Sequence, residues 1–468
     1  MPTKSFKTFE MSRPGNSMFG DGRRDLAREL HNDQASYAAA ADRHMLACLL
    51  RVAFWLCVGV SPELISGSGL SIMAQIRTYF VTFCVMWWHG CQSRAVNQGN
   101  CVDEYGAAHD WWVAYKLPEI SHHSDEGVRK GVRYVFVTSD SFASTEERDI
   151  EDYTHGSGEP EWGYPDTHWQ VGKYDIDDPR SIFGQTLKPL YDKSKKEKSS
   201  IFYILYNDEH PDGNTSLARG HTKGVVLLRP MPSLMPNWSG VWLLHSVPKF
   251  PPVPADGYGY PHTGRKYGQT AMCTTVHGPR TIESIGHNFL LNDMYIYDAM
   301  IPNSFRNFSP TMTLVATGHV RFDPPLSLVQ HVWSAAGNHF VIFAKSGKWH
   351  KELYTDLVAP TLGQNLFTET WQNGHGRLLS NCSEGHPRVQ NLEDLSFDVA
   401  NVKFSSHDDH SKWCISQNEL QPWVCVSDIN RMVTQTVRGG GCICFDNLNL
   451  WKLFRALFKA SDVETCPQ

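Results

Sequence analysis

The sequence lacks the features that would indicate a small metal-bound or membrane-embedded protein. It contains no Cys-x-x-Cys pair, and Cys442-Ile-Cys444 by itself is a poor zinc signal. No cluster of carboxylates indicates a Mg²⁺ site. The apolar stretch Met45–Val60 is interrupted by Arg51 and is too short for a clean membrane span. We therefore expect a chain that needs no metal or other cofactor and has no stable membrane association.

Disorder is excluded by composition. Of 468 residues, 41% are hydrophobic, 12% are aromatic and only 20% are charged, and no periodic repeat is present. A chain of this length and composition can bury a full core, as one large domain or as two.

A segment typical of a secretory signal begins at an internal methionine. Met73 opens a short cationic stretch, Thr78–Trp88 is an apolar run of signal-peptide length, and small residues at 93–95 suit a signal peptidase. We therefore predict that residues 1–72 are an upstream extension and residues 73–95 are a signal peptide-like segment. A short buried helix is the alternative, and an N-terminal domain that ends in a signal anchor is a further one.

Removal of such a signal would leave eight of the 12 cysteines. An even number in an exported chain favours disulfides, although eight cysteines allow 105 pairings. Four Asn-x-Ser/Thr glycosylation signals agree with export, and the third, which is followed by Pro310, is discounted. They are Asn214, Asn237, Asn307 and Asn381.

Histidine is abundant. Protonation of all 22 would change the formal charge from −6 to +16 before any carboxylate titrates. A chain that becomes strongly cationic near pH 5 suits an acid compartment and a polyanionic partner, because cations displace counterions from phosphates. The alternative is that most of these histidines are ordinary surface and core residues.

Apolar patterning predicts a mixed α/β protein. One helical stripe is predicted near the end of the chain, with its apolar side facing the core: Leu450, Trp451, Phe454, Leu457 and Phe458. Six β-branched or aromatic runs are predicted to be strands: Trp111–Leu117, Ile201–Tyr206, Gly224–Leu228, Val241–Val247, Met312–Ala316 and Phe340–Ala344.

Two His-x-Lys tripeptides carry the most informative chemistry. They are His221-Thr-Lys223 and His410-Ser-Lys412, and about one such pair is expected by chance. In extended chain, residues two apart point to the same side, so each imidazole is predicted to lie beside its ammonium. If the pairs meet, one histidine can attack phosphorus and the other can protonate the leaving oxygen, while the lysines hold phosphate oxygens.

Further polar residues are candidates for the same site. A hairpin of 224–230 with 240–248 would set His245 roughly opposite Val225 and near Lys223, although a register shift would move it to the other face. Asp428 could orient an imidazole and Asn430 could donate to a phosphate, or both could simply form a turn. The glycines of Arg438-Gly-Gly-Gly441 allow close backbone approach.

From about Cys101 to Cys466 the chain resembles the deoxyribonuclease II family. The matching segments occur in the family's order over most of this region. They are Asp110–Pro118, Leu205–Asp208, Ala218–Val225, Trp242–Pro248, Lys266–Thr270, Ser380–Ser383, Asp409–Cys414 and Arg438–Gly441.

The resemblance implies a phospholipase-D-like α/β fold in which two pseudo-symmetric mixed-sheet halves, flanked by helices, share one site. The halves would be 96–290 and 291–468. It also implies an acid endonuclease, lysosomal or secreted, that cuts DNA without divalent metal and leaves 3′-phosphate ends. The implied catalytic set is His410, His221, Lys223 and Lys412, supported by His245 and Asn430.

The resemblance further implies disulfides Cys101–Cys273, Cys382–Cys466 and Cys425–Cys444, with Cys414 and Cys442 either paired or free. Two departures stand out: residues 1–72 have no counterpart, and the loop between Leu228 and Val241 is long and proline-rich. Neither removes a catalytic residue.

The residues and the family resemblance together lead to the hypothesis of a metal-free acid nuclease with a phosphohistidine intermediate, in which either His221 or His410 could attack. A secreted DNA-binding glycoprotein with little or no activity is the alternative from another class, and a phosphodiesterase acting on another phosphoester is a second enzymatic one.

Overall fold

Two large β-sheets dominate the part of the chain that the computed structural model describes, which is residues 99–142, 168–191, 200–232 and 237–466. All of it belongs to one unit, Cys91–Gln468. The predicted extension 1–72 and signal-like segment 73–95 lie outside the described residues. Within those ranges, no helix is both long and apolar enough to cross a bilayer.

The first large sheet follows a small ribbon of β1 (Cys101–Val102) and β2 (Ala108–His109). Its spatial order is β10-β6-β7-β8-β9-β3-β4-β5, and every neighbouring pair is antiparallel. The strands are β3 (Trp111–Lys116), β4 (Tyr134–Thr138), β5 (Gln170–Val171), β6 (Phe202–Asn207), β7 (Lys223–Pro230), β8 (Trp238–His245), β9 (Gln269–His277) and β10 (Ile296–Met300).

The second large sheet has the order β11-β12-β19-β18-β17-β13-β14. Only β13 and β14 run parallel among its described pairs, so this sheet is mixed whereas the first is not. Its strands and the separate hairpin β15–β16 are β11 (Ser327–Trp333), β12 (His339–Lys345), β13 (Leu366–Thr370), β14 (Val389–Asn391), β15 (Asp394–Phe397), β16 (Val402–Ser405), β17 (Lys412–Ser416), β18 (Trp423–Ser427) and β19 (Gly440–Asp446).

The helices are few and mostly short in the described ranges. They are α1 (Glu126–Arg129), α2 (Ile182–Tyr191), α3 (Gly278–Asn292), α4 (Asn303–Arg306), α5 (Pro310–Ala316), α6 (Ala359–Leu362), which follows the π-helical turn Tyr354–Val358, and α7 (Leu448–Arg455). Short 3₁₀ turns lie at Ser139–Phe142, His262–Gly264, Gly347–Trp349, Asp398–Ala400, Ser406–Asp408, Val433–Gln435 and Ala460–Asp462.

The sequence predictions of secondary structure are confirmed with one exception. Strands form at five of the six predicted runs, with bounds shifted by a few residues. The strand predicted at Met312–Ala316 is wrong, because these residues belong to helix α5. Ser309 caps that helix by accepting the Met312 N–H at 3.3 Å, and Pro310 occupies its first turn.

A shared apolar core joins the two sheets. Alternate residues of each strand point into it, as Val113 and Tyr115 do from β3 and Trp413 and Ile415 do from β17. Helices α3 and α7 contribute to the same core. The predicted C-terminal stripe is confirmed as core-facing: Leu450, Trp451 and Phe454 in α7, and Leu457 and Phe458 just beyond it, are all buried.

Three disulfides form with the pairing that the family resemblance implies: Cys101–Cys273, Cys382–Cys466 and Cys425–Cys444. The last joins directly opposite residues of β18 and β19. Cys414 and Cys442 remain free thiols and are buried on the same face of the second sheet. Disulfides of this kind are typical of proteins that fold in an oxidising compartment.

Candidate active site

The two His-x-Lys segments occupy equivalent positions in the two sheets. Lys223 is the first residue of β7 and Lys412 is the first residue of β17. His221 and His410 therefore lie just ahead of their strands rather than inside them, two residues before the lysine in each case. His221 and both lysines are buried, whereas His410 is partly exposed.

Each histidine is held by the backbone of the other sheet's segment. The His221 N–H donates to the Gly439 carbonyl at 2.9 Å, just ahead of β19. The His410 N–H donates to the Gly268 carbonyl at 2.8 Å, just ahead of β9. Because the anchors are exchanged, packing of one sheet on the other determines where both imidazoles lie.

Two glycines make this close approach possible. A Cβ on Gly220, beside His221, or on Gly439 would collide with the same carbonyl oxygen, that of Asn292 at the end of α3. The prediction that the triple glycine permits close backbone approach is thereby confirmed.

The Nδ1 atom of each histidine ring also contacts a backbone carbonyl in the other half of the chain. His221 Nδ1 lies against the Asp428 carbonyl oxygen, and His410 Nδ1 is 3.0 Å from the Ser246 carbonyl oxygen. A carbonyl can only accept, so we assign the proton to Nδ1 in both rings. Each Nε2 then carries a lone pair that is available for attack on phosphorus or for proton transfer.

Asp428 thus contributes to orienting an imidazole, as predicted, but through its backbone. Its carboxylate instead accepts the Gly441 N–H at 2.9 Å. Burial raises the pKa of this carboxyl to about 7.

The two ammonium groups have different partners. Lys412 Nζ donates to the carbonyl oxygen of His410 at 2.7 Å. It is also 3.4 Å from His410 Nδ1, but that nitrogen already donates to Ser246, so we assign the lysine hydrogen bond to the carbonyl. Lys223 Nζ contacts the Asp208 carboxylate directly.

Asp208 is a buried anion surrounded by cations. Besides Lys223, its carboxylate accepts Arg438 Nη2 at 2.9 Å and lies 3.9 Å from His221 Nε2. Burial opposes ionisation of this carboxyl, but Lys223, His221 and Arg438 together outweigh it and hold its pKa well below the usual range. Asp208 therefore stays charged at acid pH and keeps Lys223 in place.

The electrostatics of the four central groups show that they lie near one another. Burial lowers the pKa of His410 well below 6.5, and Lys412, Lys223 and His221 lower it further. Burial and Lys223 likewise lower the pKa of His221, against an opposing effect of Asp208. Burial and Lys223 lower the pKa of Lys412 to about 7. A bound phosphodiester anion would relieve this excess of positive charge.

His245 ends β8 beside this group, as the hairpin argument predicts. Gly224 pairs with Leu244, so the register brings His245 next to the start of β7 and keeps it on the expected face. The ring is fully buried, its Nδ1 accepts the Val247 N–H at 3.2 Å, and its Nε2 has no hydrogen-bond partner. Burial lowers its pKa to about 3.

Asn430 lies beyond the end of β18 and is also buried. Its side-chain Oδ1 has no hydrogen-bond partner among the residues that the structure describes. An unpaired buried amide oxygen is unusual and is consistent with a role toward a bound group.

Several neighbours of the site were not assigned roles from the sequence. Asp208 and Arg438 lie in segments that carry the family resemblance, but nothing local indicated that they pair across 230 residues. Asp409 is a third: its carboxylate accepts hydrogen bonds from Tyr115 and Ser411, behind His410. Only the pairing of the two sheets brings these groups together.

Groups that could hold a metal ion are limited in the described chain. One cluster of suitable ligand atoms occurs, formed by the sulfurs of Cys425, Cys442 and Cys444. Two of these cysteines are bonded to each other in a disulfide. At the histidine pairs, the Asp208 carboxylate is already neutralised by two cationic side chains.

Comparisons with known proteins agree with the family resemblance. The family model described as Deoxyribonuclease II matches residues 100–466. The chain is 34% identical over 366 residues to "Deoxyribonuclease-2-alpha" of Rattus norvegicus, covering 77% of this chain and 93% of the rat protein. It is 34% identical over 361 residues to "Deoxyribonuclease-2-beta" of Mus musculus, covering 77% of this chain and 91% of the mouse protein.

Among solved structures, the polyphosphate kinase of Porphyromonas gingivalis aligns with 51% of this chain and 32% of its own. The sequence identity is 14% and the TM-score is 0.25, too low to support an argument about the fold.

Proposed function

Because the chain belongs to the deoxyribonuclease II family and is a deoxyribonuclease, we propose that it is an acid endonuclease that cuts DNA through a phosphohistidine intermediate without a divalent metal. The observation that carries this proposal is the exchanged anchoring of His221 and His410. Each Nδ1 is bonded to a carbonyl of the other half, which assigns each Nε2 to the reaction, and the lysine two residues further on is buried in both segments.

His410 is the nucleophile in this mechanism, and His221 is the general acid. The assignment rests on Asp208, whose carboxylate lies 3.9 Å from His221 Nε2 and opposes the lowering of the His221 pKa that burial and Lys223 cause. The charged groups that act on His410 most strongly are cationic, Lys412 and Lys223, and they favour its neutral form. A neutral ring is needed for attack and a protonated ring for release of the leaving group.

The reaction proceeds in two displacements. The Nε2 lone pair of His410 attacks phosphorus, the P–O5′ bond breaks, and the 5′-oxygen takes the proton from His221. Water then attacks the phosphohistidine and gives its proton to His221, and the P–N bond breaks. The products are a 5′-hydroxyl and a 3′-phosphate, and both histidines regain their starting protonation states.

The cationic side chains replace the charge that a metal would supply. Lys223 and Lys412 are placed to hold the non-bridging phosphate oxygens as negative charge develops. His245 Nδ1 accepts the Val247 N–H, so the ring proton is on Nε2, and we assign His245 a hydrogen-bond donor role through Nε2–H. Asn430 is assigned a supporting hydrogen bond that its side-chain Nδ2–H donates to a phosphate oxygen, because phosphate oxygens accept and Oδ1 cannot donate.

The equivalent starts of β7 and β17 also support a phospholipase-D-like arrangement, in which each half of the chain contributes one His-x-Lys segment. The disulfides support a lysosomal or secreted location, and Asn214, Asn237 and Asn381 are proposed glycosylation sites.

The direct test is plasmid cleavage by the exported part of the chain, residues 94–468, at about pH 5 in EDTA. We expect nicking that chelation does not reduce, and products whose 3′ ends accept no polymerase extension until a phosphatase removes the phosphate. Cleavage that needs added Mg²⁺, or ends with a 3′-hydroxyl, would reject the mechanism. A retained plasmid with no nicking would favour the DNA-binding alternative.

The pH dependence should be a bell whose maximum lies on the acid side of 6.5. Burial and the lysines lower both histidine pKa values, so the protonated general acid is lost as pH rises while the neutral nucleophile is lost as pH falls. The Lys412 ammonium, with a pKa of about 7, is also lost above neutrality. Measurement of kcat/KM at constant ionic strength checks this, and a rate that keeps rising to pH 8 would contradict it.

A further inference from the structure

Two aromatic side chains lie at the mouth of the site and have no part in the mechanism above. The Trp371 ring packs edge-on against the His410 ring, with centroids 5.1 Å apart and planes at 67°. Tyr267 packs against Trp371 in turn, with centroids 4.6 Å apart and planes at 82°. Both side chains are only partly buried, so part of their surface is open to a ligand.

The backbone that positions His410 also positions this aromatic pair. Trp371 directly follows Thr370, the last residue of β13, which is paired with Lys412. Tyr267 directly precedes Gly268, whose carbonyl accepts the His410 N–H. The two rings are therefore fixed relative to the imidazole, as a binding surface for a substrate group must be.

A cation accompanies the rings. The Lys266 ammonium lies 5.0 Å from the centroid of the Tyr267 ring and is exposed. Aromatic surface combined with a lysine is the combination by which proteins hold a nucleotide, since the ring stacks on the base and the ammonium pairs with a backbone phosphate.

We propose that Trp371 and Tyr267 form a nucleobase subsite that receives a base flanking the scissile phosphodiester. This inference rests on the proposed function, because it takes His410 to be the group that contacts the phosphate. A base that stacks here has left its neighbours in the DNA, so the substrate at the moment of cleavage is a locally unstacked strand. The subsite accepts any base, since every base has a π-face.

The test removes the nucleobase from the substrate and the Trp371 ring from the protein in separate experiments. A labelled single-stranded oligonucleotide carries one tetrahydrofuran abasic residue, and cleavage at its two flanking phosphodiesters is compared with the same positions in the intact strand. For the wild-type protein we expect cleavage at one flanking position to slow by about 5- to 150-fold, the range for loss of one base–aromatic stack.

Variants of Trp371 test whether this side chain is the group on which the base stacks. Trp371→Ala should cleave the intact strand more slowly and show little further loss at the abasic residue, whereas Trp371→Phe should retain much of the difference. Trp333→Ala is the matched control, because Trp333 is also partly buried and also packs on a histidine ring, that of His339, but lies in the edge strand β11. It should behave like the wild type.

Three results would overturn the inference. The first is a wild-type protein that cleaves intact and abasic positions equally. The second is a Trp371→Ala variant that keeps the full abasic effect while slowing all cleavage alike, which would make Trp371 a positioning residue for His410. In both cases wild-type cleavage still supports the proposed function. The third is a wild-type protein that nicks plasmid but cleaves no single strand, which rejects this inference alone, whereas a protein that cleaves neither substrate rejects the proposed function as well.

Discussion

Replacement of His410 by Ala should abolish DNA cleavage while leaving DNA retention nearly unchanged. In the proposed mechanism the imidazole supplies the Nε2 that attacks phosphorus, and loss of a nucleophile typically lowers kcat by on the order of 10⁴-fold or more. Retention depends instead on the cationic side chains, because phosphate contacts account for most of the sequence-independent affinity. Plasmid nicking and filter binding, both in EDTA at about pH 5, measure the two effects separately.

His407→Ala is the matched control for this variant. His407 lies three residues earlier in the same segment, is exposed, and contacts only Asn373 through its ring. It should nick plasmid at close to the wild-type rate. Equal thermal unfolding midpoints would show that His410→Ala folds like the wild type. If this folded variant also nicks plasmid at the wild-type rate, His410 is not the nucleophile.

A substrate with a better leaving group separates the roles of the two histidines. Thymidine 3′-(p-nitrophenyl phosphate) expels p-nitrophenolate, which needs no protonation at departure. His221→Ala should therefore recover a large part of its lost activity on this ester relative to DNA, whereas His410→Ala should not. Recovery by His410→Ala alone would reverse the assignment and make His221 the nucleophile.

Replacement of Asp208 by Asn should both destabilise the protein and impair catalysis. The substitution leaves Lys223 and Arg438 buried without their counterion. Removal of one partner from a buried ion pair typically costs about 3–5 kcal/mol of unfolding free energy. Activity should fall as well, because the displaced Lys223 no longer holds the phosphate and His221 loses the carboxylate that favours its protonated form.

The pH dependence of this loss follows from the direction of the Asp208 pKa shift. A carboxyl whose folded pKa is depressed contributes stability that is present above its unfolded pKa of about 3.9 and is lost as pH falls toward the folded value. The difference in unfolding free energy between wild type and Asp208→Asn should therefore be the same at pH 7 and pH 5. It should shrink only below about pH 4.

Chemical denaturation at several pH values measures this difference. Asp394→Asn is the control, because Asp394 pairs with Lys403 at 3.3 Å on the solvent-facing side of the hairpin β15–β16, and both side chains of that pair are exposed. Solvent screens that pair, so its loss should change stability by no more than about 1 kcal/mol. Equal effects of the two substitutions would show that the Asp208 cluster does not stabilise the fold.

Local sequence patterns predicted five of the 19 strands of the described chain and its C-terminal helix α7. Runs of β-branched and aromatic residues mark strands because their side chains suit a buried, pleated surface, and five such runs are strands here. The run Met312–Ala316 has the same composition but forms helix α5. The Ser309-Pro310 start supplies a cap and a preset backbone angle, and this local signal outweighs the residue preference.

Sequence also identified the chemical groups of the site, since two His-x-Lys tripeptides within an ordered family pattern are visible without coordinates. Even the position of His245 near Lys223 could be argued from a hairpin, because antiparallel pairing of consecutive strands places the end of β8 beside the start of β7. The residues that bind these groups could not be predicted from the sequence. Asp208 and Arg438 are each unremarkable in sequence, and they meet only after the chain has returned through most of both sheets.

The sequence by itself therefore determined which side chains are the candidates for the chemistry and several of the local elements that hold them. Only the tertiary structure decided their protonation and orientation. His221 is anchored by Gly439 and Asp428, and His410 by Gly268 and Ser246, so neither half holds its own histidine in place. The physical reason is that hydrogen bonds and pKa values depend on distance in space. The shared core that packs the sheets together sets those distances, and sequence spacing does not.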